Sequence, residues 1–145
     1  KKTRILLADD HSFLRMGLRT LLAAHKDFIV VGETANGREA VDAAKKLKPN
    51  IIIMDLMMPI MNGAMATKLV REVSPETKVI ILTTYGTSNE LNLAIENGAF
   101  GVMMKDAAAD ELPQQGVFGH QRGVDLPQLF IHKVASHTVY PLSCK

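Results

Sequence analysis

The chain has 145 residues, which is enough for one domain with a substantial core and too few for two ordinary domains. Its hydrophobic content of 47% is normal for a globular protein, and its net charge of +2 does not indicate a nucleic-acid-binding surface. Charged residues interrupt the apolar runs well before the ~18 residues that a membrane helix needs, so we expect no membrane association. The single cysteine, Cys144, excludes an intramolecular disulfide and favours a reducing, cytoplasmic location.

Short apolar runs alternate with helix-periodic segments along most of the chain. The patterns predict strands near 4–8, 28–33, 50–55, 78–83 and 99–104, and helices near 12–25, 36–47, 63–73 and 87–97. Asn36 and Glu39 have the spacing of an N-cap pair, and Asn97-Gly98 is typical of a helix end. This alternation favours an α/β fold, with a parallel sheet covered by helices on both faces.

Chemically active side chains follow four of the predicted strands. Asp9 and Asp10 close the first strand, Asp55 the third, Thr83 the fourth and Lys105 the fifth. Taken singly, each has an ordinary explanation as a helix cap, a strand residue or a surface lysine. The carboxyl ends of parallel strands share one edge, however, where three carboxylates would repel one another unless a hard cation such as Mg²⁺ joined them.

This arrangement suits a phosphoryl group held on one of the carboxylates. Asp55 follows a strand that we expect to be buried on both faces, and Mg²⁺ with a lysine would make it reactive as a nucleophile. Met57 can offer a metal ligand only through its backbone carbonyl. Thr83 and Lys105 could bind the phosphoryl oxygens.

The β-α pattern ends near Leu112, so we predict a domain at 1–112 and an atypical tail at 113–145. All eight Met lie before residue 106 and all four Gln lie after residue 112. A fifth helix is expected near 107–120, but glycines weaken it, so we expect it to be short or displaced. Three histidines of the tail fit no common zinc motif; they are His120, His132 and His137.

Taken together, the strand-end segments resemble those of a bacterial response-regulator receiver domain of the NarL/LuxR type. The resemblance covers about residues 3–112, and its combined motifs are highly specific. The segments that carry it are 5–11 (ILLADDH), 53–59 (IMDLMMP), 61–63 (MNG), 81–84 (ILTT), 96–99 (ENGA) and 104–106 (MKD). The resemblance implies a flavodoxin-like (βα)5 sandwich with a five-stranded parallel sheet.

The resemblance also implies roles for the strand-end residues. Asp55 would accept a phosphoryl group from a sensor histidine kinase. Asp10 would bind Mg²⁺ directly and Asp9 through water, and Asp55 with the Met57 carbonyl would complete the protein's share of the metal ligands. Phosphorylation would pull Thr83 inward. It would thereby favour one of two arrangements of the output face, which is formed by the fourth helix, the fifth strand and the helix after it.

The phosphoryl oxygens would be bound by Thr83 and Lys105. Receivers usually carry an aromatic residue three positions before the lysine, where this chain has Val102. Phe100 or Tyr85 could take the place of that switch aromatic. NarL/LuxR-type regulators also continue into a DNA-binding domain of roughly 60 residues with a helix-turn-helix, and 113–145 lacks that pattern.

The tail has three candidate origins: a natural divergent ending, a vector-derived segment, or a frame-shifted reading of the gene. The last two together are favoured by the separation of Met from Gln. Loss of cover by the fifth helix would expose an apolar face, over which either the tail would fold back or a second chain would pack. We predict a homodimer, and exchange of the C-terminal segment between chains is one route to it.

We therefore predict a phospho-acceptor switch and dimerisation module of a transcriptional regulator, which would reach DNA only through an output domain. It is not predicted to be an enzyme acting on an external substrate. One alternative is an interaction module or domain-swapped fragment that works without phosphorylation. A less favoured alternative is an aspartyl-nucleophile phosphatase, whose usual Asp-x-Asp motif is missing from the first strand. A dinucleotide-binding domain is disfavoured because no Gly-rich turn follows that strand.

Overall fold

A computed structural model describes residues 2–83 and 89–104 of the chain. Within these residues, five parallel strands form one sheet in the order β2-β1-β3-β4-β5. This is the flavodoxin-like strand order, and the predicted fold class is confirmed. The elements in chain order are β1 (Thr3–Ala8), α1 (Ser12–Ala23), β2 (Phe28–Thr34), α2 (Gly37–Leu47), β3 (Ile51–Asp55), α3 (Gly63–Val73), β4 (Lys78–Thr83), α4 (Asn89–Glu96) and β5 (Gly101–Met104).

The central strand β3 is buried along its whole length, as its continuous apolar sequence predicts. Ile52 and Met54 belong to the core cluster shared with α2, α3 and α4, whereas Ile51 and Ile53 belong to the cluster shared with α1. Successive side chains of a strand point to opposite faces, so one strand supplies both cores. Burial of each aliphatic side chain contributes about 1.5–3 kcal/mol to the stability of the fold, so β3 stabilises both cores.

Local capping sets the start of the two helices on either side of β3 in sequence. The Asn36 side chain accepts a hydrogen bond from the backbone N–H of Glu39 at 2.9 Å, so the predicted cap of α2 is confirmed. The Glu39 carboxylate accepts in return from the N–H of Ala35 at 3.1 Å, one residue before the cap. Asn62 caps α3 in the same way by accepting from the N–H of Met65 at 2.9 Å. Both helices therefore begin at residues that the sequence specifies locally.

Two predicted boundaries were wrong by two residues. The α1 helix ends at Ala23 rather than at 25, because the N–H of His25 bonds to the Leu22 carbonyl at 3.1 Å and the chain turns toward β2. The β5 strand begins at Gly101 rather than at 99, because the N–H of Ala99 still bonds to a carbonyl of α4. Gly98, with φ of +105°, provides the predicted helix end.

Several predictions concern residues outside the described part of the chain: the fifth helix, the tail at 113–145, Tyr85 and Lys105. In the part that is described, no helix is both long and apolar enough to cross a membrane.

Candidate functional site

Parallel pairing of β1 and β3 brings the carboxylates of Asp9 and Asp55 together. Ala8 pairs with Met54, so Asp9 and Asp55, one residue further along each strand, end side by side at the carboxyl edge. Both side chains are buried, with residue exposures of 1% and 4%. Asp10, the third acid, is more exposed, and its side chain stays in reach of the same edge. Sheet register, rather than closeness in sequence, thus assembles this acidic group.

Four ligand-type atoms converge at this edge. One atom from each of Asp9, Asp10, His11 and Asp55 lies within 4.8 Å of the others. We call these four residues the acidic cluster. Nδ1 of His11 is 3.1 Å from an Asp9 carboxylate oxygen and 3.3 Å from an Asp10 carboxylate oxygen. Three carboxylates and an imidazole in so small a space form a donor set that suits a divalent cation.

Thr83 ends β4 at the same edge and is buried. Asp55 pairs with Leu82, and the N–H of Leu56 donates to the Leu82 carbonyl at 3.0 Å. Thr83 is therefore one residue beyond Leu82, the partner of Asp55 on β4. The structure brings Asp9, Asp10, Asp55 and Thr83 to one edge, as the sequence predicts, while Lys105 lies outside the described residues.

A tightly bonded loop follows Asp55. Its turn is closed by the N–H of Met61, which donates to the Pro59 carbonyl at 2.6 Å, and by the N–H of Gly63, which donates to the Leu56 carbonyl at 2.7 Å. The N–H of Gly37 on α2 also donates to the Met61 carbonyl at 3.0 Å. Met57, predicted to offer its backbone carbonyl to the metal, lies in this loop with an exposed side chain. The loop is thus held from two sides close to the acidic cluster.

The same loop contains a strained residue. Ile60 has φ of +70°, in the left-handed region, which costs an L-residue with a Cβ roughly 1–2 kcal/mol. A β-branched side chain is among the least tolerant of this region. Because the side chain is 82% exposed, packing offers little to offset the strain. Strain of this kind is typical of functional loops.

We expect Ile60→Asn to stabilise the protein by about 0.5–1 kcal/mol, because Asn adopts the left-handed conformation more readily than Ile. Urea unfolding of both proteins under the same conditions measures the difference. Ile60→Val is the control, since Val is also β-branched and should give no gain. A loss of stability in Ile60→Asn would show that the isoleucine side chain makes a stabilising contact.

Sequence reasoning missed Arg15 as part of this region. Its guanidinium donates through Nη1 to the backbone carbonyl of Asp9, and its Nε donates to Glu33 of β2 at 3.2 Å. Arg19 donates to the other Glu33 oxygen at 3.1 Å. The signal available in the sequence was the pair of arginines one turn apart on α1. The two arginines thus link α1 to β2, and Arg15 also links α1 to the backbone at Asp9.

The two predicted substitutes for the switch aromatic are placed differently by the structure. Phe100 lies at the amino end of β5, where its ring is 5.4 Å from the Lys78 ammonium. Met104, at the other end of β5, pairs with Thr83. Phe100 is therefore about 13 Å from Thr83 along the sheet, toward the edge opposite the acidic cluster. Val102 is buried, and Tyr85 lies outside the described residues.

The doubly wound sheet and the acids at its carboxyl edge agree with the receiver-domain class that the sequence motifs indicate. The family model for the response regulator receiver domain matches residues 5–115, and the chain belongs to this family. The predicted family is confirmed. Its relatives and structural neighbours include NarL- and LuxR-type regulators, which confirms the predicted subfamily.

Two curated relatives show how far the similarity extends. The transcriptional regulatory protein LnrK of Bacillus subtilis is 38% identical over 124 residues, which cover 86% of this chain and 56% of LnrK. The response regulator protein VraR of Staphylococcus saprophyticus is 36% identical over 111 residues, covering 77% of this chain and 53% of VraR. The chain thus spans about half the length of the curated relatives it matches.

Solved structures give the same result. The signal receiver domain of the putative response regulator NarL from Mycobacterium tuberculosis superposes with a TM-score of 0.69 at 30% identity, covering 73% of this chain and 86% of that one. A two-component response regulator of the LuxR family from Aurantimonas sp. SI85-9A1 has a TM-score of 0.69 at 29% identity, covering 95% of this chain and 99% of that one.

Proposed function

We propose that this receiver domain accepts a phosphoryl group on Asp55, with Mg²⁺ held beside it. The observation that carries the proposal is the acidic cluster, in which carboxylate oxygens of Asp9, Asp10 and Asp55 lie within 4.8 Å of one another at the end of β3. Asp10 and Asp55 would bind the ion directly, Asp9 would bind it through water, and the Met57 carbonyl would add a further oxygen. These are the oxygen ligands that Mg²⁺ prefers.

In the proposed transfer, an Asp55 carboxylate oxygen attacks phosphorus. The bond from phosphorus to the donor nitrogen of a phosphohistidine breaks, and its electron pair stays on the imidazole. Mg²⁺, when bound, neutralises negative charge on the incoming phosphoryl oxygens and on the carboxylates. Because Asp55 is buried and ends a rigid central strand, its carboxylate is presented in one place.

Thr83 and Lys105 are proposed to bind the phosphoryl oxygens. Thr83 supports this role by its position, since it ends the strand next to Asp55 and is buried at the shared edge. A hydroxyl drawn toward the new charge would favour one arrangement of the chain after β4 over another. The module would thereby act as a switch rather than as an enzyme with an external substrate.

The partner that supplies the phosphoryl group is proposed to be a sensor histidine kinase of the cytoplasm. Large apolar side chains stand exposed close to the acidic cluster, at the start of α1 and in the loop after β3: Phe13 at 84%, Ile60 at 82% and Met57 at 58%. Exposed apolar groups around a charged centre are typical of a docking surface for another protein. The relatives named as transcriptional regulators support an output on DNA through a separate domain.

The test is phosphorylation by a small-molecule donor. The full chain is incubated with acetyl phosphate and Mg²⁺, and its intact mass is measured beside that of Asp55→Asn. We expect one phosphoryl adduct on the unaltered protein, none in Asp55→Asn and none when Mg²⁺ is chelated. Asp27→Asn is the matched control, because Asp27 is an exposed acid beyond the far end of α1 and should leave the adduct intact. An adduct in Asp55→Asn, or none on the folded unaltered protein, would overturn the proposal.

A further inference from the structure

We propose that His11 is a further direct side-chain ligand of this metal site, beside Asp10 and Asp55, and that it strengthens binding of borderline divalent cations such as Co²⁺ and Zn²⁺. The inference rests on the metal site of the proposed function and concerns a residue to which that function gives no role. It predicts that the site discriminates among metals by its imidazole as well as by its carboxylates.

The distances around His11 fit a shared ion. In an octahedral site with metal–ligand distances of about 2.1 Å, neighbouring ligand atoms are about 3.0 Å apart and opposite ones about 4.2 Å. Nδ1 of His11 lies 3.3 Å from an oxygen of Asp10, a proposed direct ligand, and this is close to the separation of neighbouring ligands. All four atoms of the acidic cluster lie within 4.8 Å of one another, which is somewhat more than the separation of opposite ligands.

The position of His11 is fixed through its backbone. Its N–H donates to the Asp9 carboxylate at 2.7 Å, which sets the residue beside the buried acid. His11 is the N-cap residue of α1, yet its side chain makes no capping hydrogen bond, and it is 65% exposed. Helix capping and core packing do not account for the orientation of the imidazole, which leaves hydrogen bonding of Nδ1 to the Asp9 carboxylate at 3.1 Å or a shared ion as its cause. A substitution at this position should also leave folding intact.

The imidazole changes which ions the site prefers. Carboxylate and carbonyl oxygens suit Mg²⁺, whereas imidazole nitrogen suits Co²⁺, Ni²⁺, Cu²⁺ and Zn²⁺. Removing one nitrogen ligand should therefore weaken binding of the borderline ions much more than binding of Mg²⁺. A histidine that only holds the carboxylates in place would affect all of these ions alike.

His11→Asn separates a ligand from a positioning residue. The Asn amide nitrogen can occupy the place of Nδ1 and donate to both carboxylates, but it cannot coordinate a metal as imidazole does. His11→Ala removes both capacities. His25→Asn is the matched control, because His25 lies beyond the other end of α1, a helix of 12 residues that is about 18 Å long. Every variant keeps the remaining histidines of the chain.

Co²⁺ and Mg²⁺ binding to the untagged, unphosphorylated full chain are measured by calorimetry, with the visible spectrum of Co²⁺ as a second readout. We expect His11→Asn and His11→Ala to weaken Co²⁺ binding by about tenfold or more and Mg²⁺ binding by no more than about twofold. Both affinities should be unchanged in His25→Asn. In ¹⁵N-labelled protein, Zn²⁺ should shift the Nδ1 resonance that is missing from His11→Asn.

Unchanged Co²⁺ affinity in His11→Asn would overturn the inference and make His11 at most a positioning residue. Equal losses of Co²⁺ and Mg²⁺ would overturn it as well. The proposed function is tested separately by Mg²⁺ binding to the unaltered protein and by the phosphoryl adduct. A protein that binds Co²⁺ through His11 but forms no adduct would support this inference and overturn the proposed function.

Discussion

Asp9→Asn is expected to make the metal-free protein more stable by about 1–2 kcal/mol and to abolish the stabilisation that Mg²⁺ gives. The reason is repulsion within the acidic cluster, where Asp9 and Asp55 are both buried and lie side by side. Two unit charges about 5 Å apart interact by roughly 3–4 kcal/mol at an effective dielectric constant of about 20, and partial solvation reduces this value. Asn keeps the carbonyl oxygen that accepts from the N–H of His11.

The measurement is urea unfolding with EDTA and again with Mg²⁺. For the unaltered protein, Mg²⁺ at 100 times its Kd should add about 2.7 kcal/mol, and this gain should vanish in Asp9→Asn. Asp42→Asn is the control, because Asp42 is an exposed acid on α2 and Asn has a similar helix propensity. Equal Mg²⁺ stabilisation in the unaltered protein and Asp9→Asn would contradict the assignment of this residue to the metal site. Lower stability without metal would contradict the repulsion argument.

Gly63→Ala is expected to destabilise the protein by about 2–3 kcal/mol, because its Cβ has no room. A Cβ at this position would lie 2.4 Å from the Asp55 carbonyl oxygen and 3.0 Å from the Leu56 Cα, and both are backbone atoms. The backbone cannot easily withdraw, since β3 is fully buried and the N–H of Gly63 is bonded to the Leu56 carbonyl. The glycine therefore lets α3 begin directly against the strand that carries the proposed phospho-acceptor.

Gly17→Ala is the matched control and should have the opposite effect. A Cβ there meets no atom within 4 Å, and the residue lies in the interior of α1. Alanine at such a position should stabilise the helix by about 0.5–1 kcal/mol. Thermal unfolding of the two variants side by side measures both effects. A neutral Gly63→Ala would mean that the start of α3 moves away from β3 at little cost.

The elements of this fold could be predicted from the sequence because local rules specify them. Continuous apolar runs marked β3 and β4, and the N-cap pattern at Asn36 placed the start of α2 correctly. The wrong ends of α1 and β5 were decided by hydrogen bonds to the turns beside them, and these bonds leave no periodic signal. Boundaries therefore failed where a competing local bond, rather than hydrophobic burial, ended the element.

The acidic residues of the candidate site could be predicted from the sequence, whereas the positions of the side chains around them were harder to predict. An acid after an apolar run indicates a strand end, and parallel strands end at one edge, so Asp9, Asp10 and Asp55 could be grouped in advance. The approach of Nδ1 of His11 to two carboxylates could not, because a side chain's direction depends on the turn that follows the strand. Whether these residues act as proposed stays a prediction.

By itself, the sequence determined the alternation of strands and helices, the burial of the central strand and the acidic character of one edge, because period, capping and composition act over a few residues. Only the tertiary structure decided the strand register that sets Asp9 directly beside Asp55, that Gly63 must lack a side chain and that Ile60 adopts a left-handed conformation. These features arise from strand register and from the packing of α3 against β3. Such contacts join residues distant in the chain, and their energies depend on the whole core.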